Sequence, residues 1–160
     1  MALFKDFADV IEVAIRIERE GIELYKKLYE MISSVEAKPV FSYLAAEEEK
    51  HAGVFRTMLE TVADYTPRYD YPGEYGAFLN GVAADLTEKI KKNLKKMPAV
   101  NASQAIDVGI ELEKETILFY LELKSDGKLA PEQENIVQKV IDEERLHWQK
   151  LLALREKLKF

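Results

Sequence analysis

"LAAEEEKHAGVF", residues 44–55, and "VIDEERLHWQKL", residues 140–151, hold the only two histidines of the chain. In each stretch a glutamate precedes the histidine by three, Glu48 before His51 and Glu144 before His147. Three residues are just under one helical turn, so both side chains of a pair leave the same face of a helix. The neighbouring apolar residues say which face. Steps of three and four from the first pair reach Phe41, Leu44, Phe55, Met58 and Val62. From the second pair they reach Val137, Val140, Leu151, Leu154 and Leu158. Both pairs therefore sit on stripes that a helix buries.

Two further helices carry stripes with one acid each. The first runs through Ile11, Ala14, Glu18, Gly21, Tyr25, Leu28 and Ile32; the second through Ile106, Gly109, Glu113, Thr116, Tyr120 and Leu123. The helical period predicts four long helices, from about Phe4 to Ile32, Val35 to Val62, Ala102 to Lys124 and Pro131 to Leu158. Ser34 is a suitable N-cap with Pro39 in the early turns, Asn101 or Ser103 suits the third helix, and Pro131 suits a first helical position. "SDGK", residues 125–128, is a turn signal. The second and third helices are far apart in sequence. "DYTPRYDYPGEYG", residues 64–76, is irregular by composition, and "AFLNGVAADLTEKIKKNLKK", residues 77–96, reads as a shorter fifth helix. Two helical hairpins joined by a long crossover make an all-α four-helix bundle.

The hairpins resemble each other. "AIRIEREGIELY" (14–25) set against "GIELEKETILFY" (109–120) puts Glu18 on Glu113, Glu20 on Glu115, Ile22 on Ile117 and Tyr25 on Tyr120. Glu18 to Glu48 is 30 residues and Glu113 to Glu144 is 31. Glu18 and Glu48 each lie about a dozen residues from the first hairpin turn, roughly 20 Å at the helical rise. The second hairpin places Glu113 and Glu144 alike. Packed face to face, the hairpins bring four carboxylates and two imidazoles to one layer.

The totals bound what such a layer can do. With 160 residues the chain suits one domain, 1–160, with a single core; 48% hydrophobic and 32% charged residues are a globular composition. A net charge of -6 argues against nucleic acid as the main partner. The chain has no cysteine, which excludes disulfides, thiolate metal sites and cysteine nucleophiles and fits a cytoplasmic setting. No apolar run approaches the ~18 residues of a membrane span, and "MALFKDFADVIEV" has acids inside its apolar region, unlike a signal peptide.

Four ionised carboxylates in an apolar core cost several kcal/mol each without partners. Two divalent cations match their charge, and carboxylate oxygens with one imidazole per ion suit iron or manganese. Gly21 and Gly109, near the acids, leave room for bridging carboxylates or a small oxidant. The competing reading is a polar layer of Glu–His hydrogen bonds that fixes helix register.

The motifs "EREGIELY", "EEEKH", "EKETILFY" and "EERLH" resemble those of the ferritin-like superfamily, and most of all the di-iron domain of rubrerythrins, over nearly the whole chain. The resemblance implies two iron ions held by Glu18, Glu48, His51, Glu113, Glu144 and His147, with Tyr25 and Tyr120 as the tyrosines hydrogen-bonding around them. It implies a di-iron peroxidase that reduces hydrogen peroxide (dioxygen being the other candidate oxidant) and acts in oxidative stress as a homodimer. Two features depart from the family. No cysteine is present for a rubredoxin-like domain, so electrons come from an external donor such as a rubredoxin-like protein. Where typical rubrerythrins carry an extra carboxylate one turn after the third-helix ligand, this chain has Thr116. Ferritin-type iron oxidation or storage, and a structural metal site in a binding protein, are the alternatives.

The remaining features read as follows. "TEKIKKNLKK", residues 87–96, is a basic stretch on an acidic chain, either a solvated face or a docking patch for an acidic electron carrier. Tyr65, Tyr69, Tyr71, Tyr75 and Phe78 suit a bundle cap or a dimer face, and Trp148 an interface. Glu47, Glu49, Glu115, Asp142 and Glu143 lie off the stripes and read as solvated.

Overall fold

The structure is a computed structural model that describes residues 7–61, most of 81–96, and residues 99–125 and 129–160. Four long helices carry it: α1 (Phe7–Met31), α2 (Lys38–Glu60), α3 (Ala102–Ser125) and α4 (Pro131–Lys157). α1 packs along α2 and α3 along α4, and contacts of α1 with α3 and of α2 with α4 close the bundle. The described residues between 81 and 95 are helical, and Ala83, Leu86 and Leu94 among them join the common core. This is the ferritin-like four-helix bundle with a helix-bearing crossover. The five crossover aromatics from Tyr65 to Phe78 and most of the "SDGK" turn lie outside the described residues.

The helix starts follow from local chemistry. Asn101 caps α3: its Oδ1 accepts the Gln104 N–H at 2.8 Å, and Gln104 Oε1 accepts the Asn101 N–H at 3.1 Å. That reciprocal pair satisfies two amides that would otherwise lack partners; Ser103 is already inside the helix. α2 starts later than the sequence suggests. The Ser34 hydroxyl accepts the Ala37 N–H at 3.2 Å and so closes a turn at residues 35–37, and the helix begins only at Lys38. Pro39 then falls in the first turn, where no N–H is needed. α4 begins at Pro131, with Gln133 Oε1 accepting the Ala130 N–H at 2.8 Å.

Every described stripe residue named above is buried, except Leu158, which is half-buried at the end of the chain. α1 buries more than its stripe. Val10, Val13, Ile17 and Leu24 are also 5% exposed or less, so this helix turns a wide apolar face to its neighbours. Among the described residues no helix is long and apolar enough to cross a membrane.

Candidate metal centre

The bundle brings all six sequence-predicted residues into one layer. Glu18, Glu48, His51, Glu113, Glu144 and His147 are each 3% exposed or less. They form two overlapping groups. Glu18, Glu48, His51 and Glu144 have donor atoms within 4.8 Å of one another, and so do Glu48, Glu113, Glu144 and His147. Each group thus has its own histidine and its own glutamate, and both share Glu48 and Glu144.

The shared carboxylates divide their oxygens between the groups. Glu48 turns Oε2 toward His51 Nδ1 at 3.4 Å and Oε1 toward His147 Nδ1 at 3.6 Å. Glu144 turns Oε1 toward His51 Nδ1 at 3.2 Å and Oε2 toward His147 Nδ1 at 2.9 Å. Glu18 Oε2 lies 3.6 Å from His51 Nδ1, and Glu113 Oε1 3.8 Å from His147 Nδ1. The two rings stack with centroids 5.4 Å apart.

These close approaches are not hydrogen bonds. Glu18 Oε2, both Glu144 oxygens and both Nδ1 atoms are buried without a hydrogen-bond partner. Leaving such atoms unsatisfied costs about 1–3 kcal/mol each. A register-fixing polar layer would aim its donors at its acceptors; here two groups of donor atoms crowd within 4.8 Å of one another and five of those atoms make no aligned hydrogen bond. Four carboxylates and two imidazoles are also a donor set that suits iron or manganese. The residues fit a pair of divalent ions.

The groups around this set hold it in place. The Tyr25 hydroxyl donates to Glu113 Oε1, and the Tyr120 hydroxyl to Glu18 Oε1. Each hairpin's tyrosine therefore reaches the unshared glutamate of the other hairpin. This leaves the second Glu18 oxygen free to face His51. On the far side of His51, Nε2 donates to Glu143 Oε2 at 2.8 Å, which directs the Nδ1 lone pair inward. Glu143, expected to be solvated, is thus a partner of the centre with its side chain 37% exposed. Its counterpart Glu47 is not freely solvated either; it is 15% exposed and paired with Lys50. The signal for both was present in the repeat, because each Glu-x-x-His is preceded by a second glutamate. Thr116 is buried at the same level of α3, whereas Glu115 is exposed as expected.

Without metal, protons must balance the charge. Burial pushes the Glu18 carboxyl up to about 8, with the neighbouring Glu48 charge adding to the effect. Burial and the charges of Glu144 and Glu48 hold Glu113 well above the carboxylate range. Burial alone would lower both histidines, but the facing carboxylates outweigh it. His147, facing Glu113, Glu144 and Glu48, rises to about 12, and His51, facing Glu144, Glu18 and Glu48, rises strongly as well. Burial and the nearby carboxylates keep Tyr25 and Tyr120 protonated and able to donate.

A comparison with family models matches residues 9–155 to the family described as Rubrerythrin. The chain belongs to that family. Comparisons with curated proteins and with solved structures gave no match.

Proposed function

We propose that the protein is a dinuclear non-haem iron oxidoreductase that reduces hydrogen peroxide to water with electrons from an external donor. The observation that carries this reading is the division of the Glu48 and Glu144 oxygens between two histidine-bearing groups, with five donor atoms of the set buried and unpartnered. Glu18 and His51 would hold one ion, Glu113 and His147 the other, and Glu48 and Glu144 would bridge them. When bound, two ferrous ions supply one electron each, enough to split the O–O bond without releasing a radical. The overall change takes one peroxide, two electrons and two protons to two waters.

The chain's own groups have definite tasks in this scheme. Tyr25 and Tyr120 hold the unshared glutamates by donating to one oxygen of each. Glu143 orients His51. The apolar stripes above and below the layer keep bulk water out, which strengthens every charge interaction inside. Gly21 packs beside the carboxylate arm of Glu48, at a distance where a Cβ would make only an ordinary contact, 3.5 Å from Glu48 Cγ. Thr116, buried in place of the family's extra carboxylate, would offer neither ion an alternative anionic ligand.

The test is iron content after anaerobic ferrous loading and desalting, followed by stopped-flow mixing with peroxide. About two irons per chain, oxidised by about one peroxide per pair, supports the reading. Binding of no iron would sink it, and retention of tens of irons per chain after aerobic loading would replace it with storage.

A further inference from the structure

The repeat is not symmetric on its solvent side. His51 is backed by the Glu143 carboxylate. The equivalent Glu47 turns to Lys50, and His147 instead meets the edge of the Tyr43 ring, with centroids 6.4 Å apart and planes at 84°. Tyr43 is 43% exposed. A half-exposed aromatic ring therefore packs against a histidine that is itself 2% exposed. Lys150 Nζ lies 4.5 Å over the centroid of the same ring.

Tyr43 has apolar and basic company along the α2–α4 groove. Helical spacing puts Val54 on its strip of α2 and Leu146 on the facing strip of α4; they are 39% and 60% exposed. Lys50 on α2, with Lys139 and Lys150 on α4, border them and are exposed. Their carboxylate neighbours are engaged, Glu143 by His51, Asp142 by Arg145 and Gln138, and Glu47 by Lys50, so that Lys139 and Lys150 carry the rim's remaining positive charge. An apolar centre with a charged rim is the anatomy of a transient protein interface. On a chain of net charge -6, a cationic rim is where an acidic partner meets the least repulsion.

We propose that this strip, centred on Tyr43, is the docking surface for an acidic one-electron carrier protein. The inference rests on the oxidoreductase reading, in which the electrons come from an external donor. Two successive dockings, each oxidising one carrier by one electron, supply the two electrons that one peroxide consumes. The Tyr43 ring shortens the gap between the bound carrier and the His147 ring, and the lysines set the encounter rate.

The test uses a redox-inert probe, a zinc-substituted acidic rubredoxin-like protein, titrated into the 15N-labelled chain. Binding is read from amide shifts and is independent of iron and peroxide. The expected result is shifts confined to residues 43–54 and 139–150 that vanish in high salt. Lys50→Glu with Lys150→Glu should weaken binding about tenfold or more, and Tyr43→Ala about tenfold, with helix content unchanged. Lys92→Glu with Lys95→Glu, the same charge change on the crossover, should leave binding within about twofold. No binding, shifts elsewhere, or a loss caused only by the crossover pair overturns the proposal. If the chain still takes up two irons and consumes peroxide, that result leaves the oxidoreductase reading standing. Docking on the strip by a chain that binds no iron would instead remove that reading and keep the surface.

Discussion

Loading the metal centre at pH 7 should expel about four protons per chain. In the metal-free chain His51 and His147 carry their protons, and Glu18 and Glu113 hold theirs because burial penalises the anion. Burial pushes the Glu18 carboxyl up to about 8, so that it holds its proton at neutral pH. Two imidazolium protons and two carboxyl protons balance the layer's four carboxylates; two divalent ions balance them equally well. Metal therefore replaces protons one charge for one. The same groups set the pH dependence of the metal-free fold. Each binds its proton more tightly folded than unfolded. The stability due to His147 is complete below its unfolded value of about 6.5 and is lost as pH rises through about 12. That due to neutral Glu18 is complete below 4.5 and is lost through about 8. Metal-free stability should thus fall as pH rises above 4.5, by about 1.4 kcal/mol per pH unit for each proton held only by the folded state. Metal affinity should rise over the same interval. Calorimetric titration with zinc in buffers of different ionisation enthalpy reads the protons directly from the slope. A slope near zero, or proton uptake, would refute the charge accounting.

Two further sets of variants test the packing around the layer. Gly21→Ala places its Cβ no nearer than 3.5 Å to any neighbour and should raise Tm through a helix-propensity gain of about 1 kcal/mol. Gly109→Ala meets Leu151 Cδ1 at 3.0 Å and Tyr25 Cε1 at 3.3 Å, both fully buried residues, and should lose about 1–2 kcal/mol net by chemical denaturation; equal responses of the two variants would contradict the packing described. Tyr25→Phe and Tyr120→Phe each remove the donor to an unshared glutamate and should weaken metal binding about 10–100-fold in chelator competition. Unchanged affinity in both would reduce the tyrosines to core packing.

The fold was legible in the sequence because its cause is local and repeated. A stripe that stays apolar over several turns and breaks at one level in four helices has few ways to be buried, and within the described residues the structure buries all of it but Leu158. The six residues of the centre were legible for the same reason: they are the breaks. What the stripe could not show were contacts made across helices from just outside it. Glu143 sits one residue before a stripe position and reads as solvated on its own helix; its role comes from α2, which brings His51 within 2.8 Å. Val13, Ile17 and Leu24 lie off the stripe because α1 buries a second face, which a single stripe per helix does not anticipate. In sequence Ser34 suits the cap of α2, because a hydroxyl that closes a turn and one that caps a helix make the same bond to an amide three residues on.

The duplicated hairpin would give the two proposed metal positions the same kinds of ligand, so any difference between them would come from the residues around the ligands. The tyrosine bonds match, Tyr120 to Glu18 and Tyr25 to Glu113, and cancel in the comparison. The histidine supports do not match. A carboxylate accepting the His51 Nε2–H makes that imidazole the more basic donor and locks its ring, whereas the His147 ring packs at 84° to the Tyr43 ring, with centroids 6.4 Å apart. Outer partners of this kind are worth about 10–100-fold in metal affinity. The first zinc ion added should therefore settle with Glu18 and His51, and the second with Glu113 and His147. In spectra of the chain labelled at histidine nitrogen, the His51 signals should shift through the first equivalent and those of His147 through the second. Glu143→Leu should abolish the order, while Glu143→Gln, which keeps an accepting oxygen, should largely preserve it. Simultaneous shifts in the unaltered chain would mean that binding at the shared Glu48 and Glu144 is so cooperative that the shell cannot distinguish the two positions.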